Sequence, residues 1–148
     1  MAFSEKTLAV KKSTLPGAGK GLFTLEFIPK NSIIAEYRGK INTWKEVKND
    51  NSTNGYLYYV NRNWVIDART YLKSKARYAN DARGMKKIKG ITNNSVYVEK
   101  DSKVFIQSKK DIKPGEEIFV DYGKEYWDAM RYNKKLEEKE KKTTKKKN

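Results

Sequence analysis

The sequence predicts a mainly β fold, built from short strands joined by tight turns and closed by one short C-terminal helix. Two patterns and a composition lead there. Apolar runs are at most four or five residues long and are bounded by Gly, Pro, Asn and Asp, the spacing of short strands and turns. Strand-like runs do not alternate with long helical ones, which argues against a doubly wound parallel sheet. The apolar content is only 37%, but three Trp, ten Tyr and five Phe each bury a large area, so a modest aromatic core is expected.

In chain order, Thr7 to Lys12 alternates around Leu8 and Val10 and reads as the first strand. Leu15-Pro16-Gly17-Ala18-Gly19 is a turn, and Gly21 to Glu26 a second strand carrying Leu22, Phe23 and Leu25. After a turn at Ile28-Pro29-Lys30-Asn31, Ser32 to Tyr37 is a third strand with β-branched Ile33 and Ile34. Thr43-Trp44-Lys45-Glu46 matches a capping box and predicts a short helix to about Lys48. A polar loop, Asn49 to Gly55, precedes strands at Tyr56 to Val60 and Trp64 to Ile66, with Asn61-Arg62-Asn63 between them. Val96 to Val98 and Val104 to Ile106 form a hairpin, Lys113-Pro114-Gly115-Glu116 turns, and Ile118-Phe119-Val120 is a last strand. Glu125 to Lys141 is rich in helix formers, with Trp127 and Met130 near its start. The expected organisation is one domain over 1–133 and a basic tail over 134–148, disordered toward its end.

Composition excludes much chemistry. With no Cys and no His, there is no disulfide, no Cys/His zinc site, no thiol nucleophile and no imidazole acid or base. No stretch approaches the roughly 20 apolar residues of a membrane span, so a soluble intracellular protein is expected, cytoplasmic or nuclear. The net charge is +15, of which Lys134 to Asn148 contributes +5 from eight Lys and three Glu, leaving +10 on the body. A basic body points to an acidic partner, nucleic acid or an acidic protein surface; solubility is the plainer explanation. The same two readings apply to the stretch Lys73 to Lys89, where seven Lys or Arg stand against Asp81.

Gly17-Ala18-Gly19-Lys20-Gly21 does not fit a nucleotide loop. A P-loop needs Ser or Thr after its Lys, where Gly21 stands, and a dinucleotide fingerprint needs a glycine at Leu22 followed by a helix. What remains is a turn whose glycines let a ligand approach the backbone.

Four segments, in order, carry more information. They are Gly19-Lys20-Gly21-Leu22-Phe23, Tyr37-Arg38-Gly39, Ala76-Arg77-Tyr78-Ala79-Asn80-Asp81-Ala82, and Gly115-Glu116-Glu117-Ile118-Phe119-Val120-Asp121-Tyr122-Gly123. This ordered set resembles the SET-domain family of protein-lysine methyltransferases from about Leu8 to Trp127. The resemblance implies small curled sheets, with a knot-like crossing of the third and fourth segments that builds the site. It implies S-adenosylmethionine as cofactor, met by the backbone of Gly19, Lys20 and Gly21, by Asn80 at its amino group and by the backbone of Asp81 near the adenine. Tyr78, Tyr126 and Trp127 complete the implied cofactor surface. Tyr122 is the implied catalytic tyrosine, with Tyr56 and Val120 lining a lysine channel. The implied partner is a protein lysine, with histones as one substrate class.

The sequence departs from the family pattern in four respects. Asn-His-Ser is usual where Asn80-Asp81-Ala82 stands, and the Asn of a nearby Pro-Asn corresponds to Asn94, beyond an insert holding Arg83, Lys86, Lys87 and Lys89. The flanking zinc clusters are absent. An aromatic is common two positions before the tyrosine, where this chain has Val120; the smaller side chain leaves room for more than one methyl. A chemistry based on positioning and on a desolvated, neutral lysine amine suits a Tyr-rich protein without His. Two other readings stand beside the enzyme: a catalytically silent SET-like module that binds cofactor or nucleic acid, and a basic nucleic-acid-binding protein.

Overall fold

The computed structural model describes residues 5–47, 56–83 and 89–123, together with positions 135 and 139. Within them the chain forms three small sheets and few helical turns, as the sequence predicts.

The first sheet begins with a hairpin. Strand β1 (Leu8–Lys12) pairs antiparallel with β2 (Lys20–Thr24), from Leu8 opposite Thr24 to Lys12 opposite Lys20. The loop between them closes through the Ser13 amide on the Gly19 carbonyl at 2.8 Å, with Gly17 and Gly19 at φ +75° and +71°, values that favour glycine. β3 (Ile33–Glu36) follows, then β4 (Lys40–Asn42), a strand the sequence reading passed over because one Ile between two polar residues gives no alternation.

The capping box forms. The Glu46 amide donates to Thr43 Oγ1 at 3.3 Å, the Thr43 amide donates back to Glu46 Oε1 at 2.9 Å, and helix α1 (Trp44–Val47) results. The Thr43 backbone and hydroxyl donors hold the Glu46 carboxyl below its ordinary range. β5 (Leu57–Asn61) and β6 (Trp64–Asp67) make the expected hairpin, and β4 joins the free edge of β6 to give the order β4-β6-β5.

β7 (Ser95–Lys100) and β8 (Lys103–Ser108) form the longest hairpin, turning at Asp101 and Ser102 with φ of +53° and +64°. That two-residue left-handed turn matches the twist of the strands. The expected last strand is not continuous. It divides into β9 (Glu117–Ile118), antiparallel to β2, and β10 (Val120–Asp121), parallel to β7, so it finishes two different sheets. The second sheet therefore has the order β10-β7-β8-β3.

The core lies between these sheets. Leu8, Leu22, Ile28, Ile34, Ile106 and Ile118 are among its buried members, joined by Val104 and Val120. Burying each such side chain contributes about 1.5–3 kcal/mol. The tail and most of the predicted C-terminal helix lie outside the described residues; Lys135 and Lys139 are helical.

Candidate active site

The site is built where the third and fourth sequence segments cross. A single 3-10 turn, Lys75–Tyr78, buries Ala76 and delivers the chain in extended form to Asn80, which forms a parallel bridge with Phe119. The Val120 amide donates to the Asn80 carbonyl at 2.9 Å. On its other side Phe119 is held by Asn94: the Phe119 amide donates to Asn94 Oδ1, and the Asn94 and Ser95 amides donate to the Phe119 carbonyl, each at 3.0 Å. Asn94 Nδ2 also donates to the Glu117 carbonyl at 2.9 Å. The Asn94 side chain thus takes the amide of residue 119 while the Asn94 and Ser95 amides take its carbonyl, which is why the strand breaks there and its halves diverge. Asn94 is only 4% exposed, so these bonds are made away from water, where an unmet partner is costly.

Tyr122 stands directly after the crossing. Its hydroxyl donates to the Ala79 carbonyl and its amide donates to Asp81 Oδ2 at 2.9 Å. Its ring stacks on Tyr97 of β7, centroids 6.3 Å apart at 22°. Tyr97 in turn meets Tyr58 at 5.1 Å and Tyr37 at 5.9 Å, both edge to face. The Tyr37 hydroxyl donates to the Tyr56 carbonyl at 2.7 Å. Burial, then the neighbouring Glu99 carboxylate that Tyr58 bonds at 3.1 Å, push the Tyr58 phenol well above its ordinary pKa, so it stays protonated. Four tyrosines from separate parts of the chain therefore make one half-dry aromatic wall.

The glycine loop reaches the same place by two ties. Asn80 Nδ2 donates to the Lys20 carbonyl at 3.0 Å. The buried Glu117 carboxylate accepts from Ser13 Oγ at 2.6 Å and from the Thr14 amide and hydroxyl at 2.8 and 2.7 Å. Gly21 is required by this latch rather than by its φ: a Cβ there would lie 2.3 Å from Glu117 Oε2. Gly39 has a similar reason, since its Cβ would lie 2.3 Å from the Asp67 carbonyl oxygen.

Of the residues singled out from sequence, Tyr122, Asn80, Asp81, Lys20 and Gly21 are linked through this bonded set. Val120 is fully buried, with its backbone in the crossing. Tyr56 and Tyr78 are partly buried against the core, and the Arg77 guanidinium lies over both rings at 4.3 and 5.1 Å. Tyr126, Trp127, Lys86 and Lys87 lie outside the described residues. Sequence reasoning missed Tyr97, Asn93 and the Ser13–Thr14–Glu117 latch. Only the latch left a trace in the sequence, through Gly21 beside it: a glycine in a strand marks a close approach.

The SET domain family model matches residues 19–123, most of the chain. The chain is 30% identical over 133 residues to histone-lysine N-methyltransferase EZH2 of Chaetomium thermophilum, covering 80% of this chain and 8% of that protein. It is 31% identical over 109 residues to the H3 lysine-4 specific histone-lysine N-methyltransferase of Schizosaccharomyces pombe, covering 69% of this chain and 11% of the relative. With histone-lysine N-methyltransferase set-17 of Caenorhabditis elegans the identity is 27%, over 85% of this chain and 46% of the relative. The chain thus spans less than half the length of each of these proteins. Among solved structures, the methyltransferase domain of human PR domain-containing protein 2 superposes with a TM-score of 0.58 at 25% identity, covering 79% of this chain and 77% of that one.

Proposed function

The chain belongs to the SET-domain family, and on that premise we propose that it transfers a methyl group from S-adenosylmethionine to a lysine side chain of a protein, with histones as the first substrates to test. One observation carries the reading: the Tyr122 hydroxyl is tethered to the segment that holds Asn80, beside an aromatic wall.

The residues present suit the cofactor. Asn80 spends its amide N–H on the Lys20 carbonyl, while its Oδ1 takes no hydrogen bond among the described residues and remains an acceptor for an ammonium group. Gly19 has no heavy atom within 4 Å of where a Cβ would stand, so a ligand can approach it from that side. Lys20, Gly21, Asn80, Asp81 and Tyr78 are the described residues proposed to hold S-adenosylmethionine, with Tyr126 and Trp127 beyond them. When bound, the cofactor supplies an electrophilic methyl.

The protein's own part is to align and dry the amine. A lysine amine with a pKa of about 10.4 pays roughly 4–5 kcal/mol to be neutral at pH 7. Desolvation disfavours its charged form, and the packed rings of Tyr37, Tyr58, Tyr97 and Tyr122 are proposed to supply that dry setting. Because Tyr122 gives its proton to the Ala79 carbonyl, its oxygen acts as an acceptor. It can take an N–H of the neutral amine and so turn the lone pair toward the methyl. Tyr56 and Val120 are proposed as further channel residues.

The test is transfer of labelled methyl from S-adenosylmethionine to core histones and to a cell lysate between pH 7 and 9. The rate rises with pH as the free amine becomes more abundant. Tyr122→Phe lowers turnover on the order of a hundredfold through lost alignment; unchanged turnover removes Tyr122 from its assigned role. Val120 brings no ring to the channel, so di- or trimethyl-lysine is expected by mass spectrometry, and product that stops at monomethyl-lysine rejects that assignment.

A further inference from the structure

Asp81 stands where the family pattern has an imidazole, and its surroundings call for a carboxylate. It is 5% exposed. Oδ1 accepts from the Arg83 amide and from Asn93 Nδ2, both at 2.8 Å, and Oδ2 accepts from the Tyr122 amide at 2.9 Å. Asn93, 3% exposed, is fixed in turn because its Oδ1 accepts from the Ala82 amide at 2.7 Å. Three N–H donors thus converge on one side chain. A neutral imidazole has one acceptor nitrogen and a protonated one has none, so neither form can serve all three.

We propose that Asp81 and Asn93 form a carboxylate–carboxamide clasp that positions Tyr122. The inference rests on the reading of Tyr122 as the group beside the transferred methyl. Tyr122 is tied to residues 79–81 at both ends, by its hydroxyl to Ala79 and by its amide to Asp81. With both ties in place the ring oxygen has one location relative to Asn80. Without the second, the backbone after the crossing can swing while the ring remains near the wall. The nearby Arg83–Asp121 ion pair, 3.7 Å long and largely exposed, is a weak substitute. The clasp also explains how the chain does without the usual histidine, and it predicts that restoring that histidine is harmful.

The experiment compares the full chain with Asp81→Asn, Asp81→His, Asn93→Ala and the swap Asp81→Asn/Asn93→Asp. The readouts are amide hydrogen exchange at Tyr122 and steady-state methylation of core histones with S-adenosylmethionine. In Asp81→Asn the new amide nitrogen confronts other donors. Tyr122 exchange then accelerates by about 10- to 100-fold, as expected for loss of a hydrogen bond to a charged group. Turnover falls on the order of a hundredfold. Asp81→His behaves alike. The swap keeps an acceptor for Tyr122 and a donor–acceptor match between the two side chains, and it recovers both readouts. Unchanged exchange at Tyr122 in Asp81→Asn, or a swap no better than Asp81→Asn alone, overturns the clasp. Should Asp81→Asn not fold, Asn93→Ala decides, since it frees the carboxylate without removing it: faster exchange at Tyr122 supports the clasp and unaltered exchange overturns it. If the parent chain transfers no methyl, the methyltransferase reading fails, while the exchange rates still decide on the clasp.

Discussion

The crossing around Phe119 and the small sheet β4-β6-β5 are made of similar residues but held by different forces. In the small sheet, strands pair along regular ladders, and parts of its surface face water: Ile41 is 43% and Tyr59 51% exposed. At the crossing, Asn94, Asp81 and Asn93 are buried and take over the bonds that a neighbouring strand would make. Ladder bonds near water are replaceable by solvent; side-chain bonds at a buried junction are not. A few polar side chains should therefore dominate at the crossing, while the exposed residues of the small sheet matter little.

The sharpest way to break this contrast is Asn94→Ala. It strands the buried Phe119 amide and Glu117 carbonyl together, and chemical denaturation should report a loss of about 3 kcal/mol. A loss of a few tenths would mean that water reaches the junction, and the contrast would collapse. Gly21→Ala comes next. Its methyl meets a Glu117 carboxylate that three donors hold in place, so the expected destabilisation is about 1–3 kcal/mol, as for other overpacked sites. On the proposed use of S-adenosylmethionine, weaker binding of it by calorimetry should accompany this change. On the small sheet, Tyr59→Ala removes one edge-to-face contact with Trp44 at 5.7 Å, and the same denaturation assay should register about 0.5–1.5 kcal/mol. A larger effect than Gly21→Ala would reverse the ranking.

The same contrast explains what could be read from the sequence. Local signals were clear: the capping box at Thr43 and Glu46, the Pro114-Gly115 turn and the β7–β8 hairpin each depend on residues close in the chain. Asn80 and Tyr122 were legible through the ordered motifs, and the structure ties both into the crossing. The break at Phe119 was not legible, because Ile118-Phe119-Val120 is an unbroken apolar run and the cause, Asn94, lies 25 residues away. The latch from Ser13 to Glu117 spans 104 residues and leaves no periodicity. Tyr97 read as a hairpin residue because nothing local records that its ring faces Tyr122.

The pairing of β10 with β7 has a consequence for how the protein comes into being. The β5–β6 and β7–β8 hairpins join neighbouring stretches and can close early, whereas residues 117–122 must find Leu22, Asn80 and Ser95, all distant in the chain. Closing such long loops is slow. On a ribosome, the glycine loop, Asn80 and three of the wall tyrosines, Tyr37, Tyr58 and Tyr97, emerge before residues 117–122. The junction is complete only once the segment ending at Tyr122 is in place against β7 and Asp81.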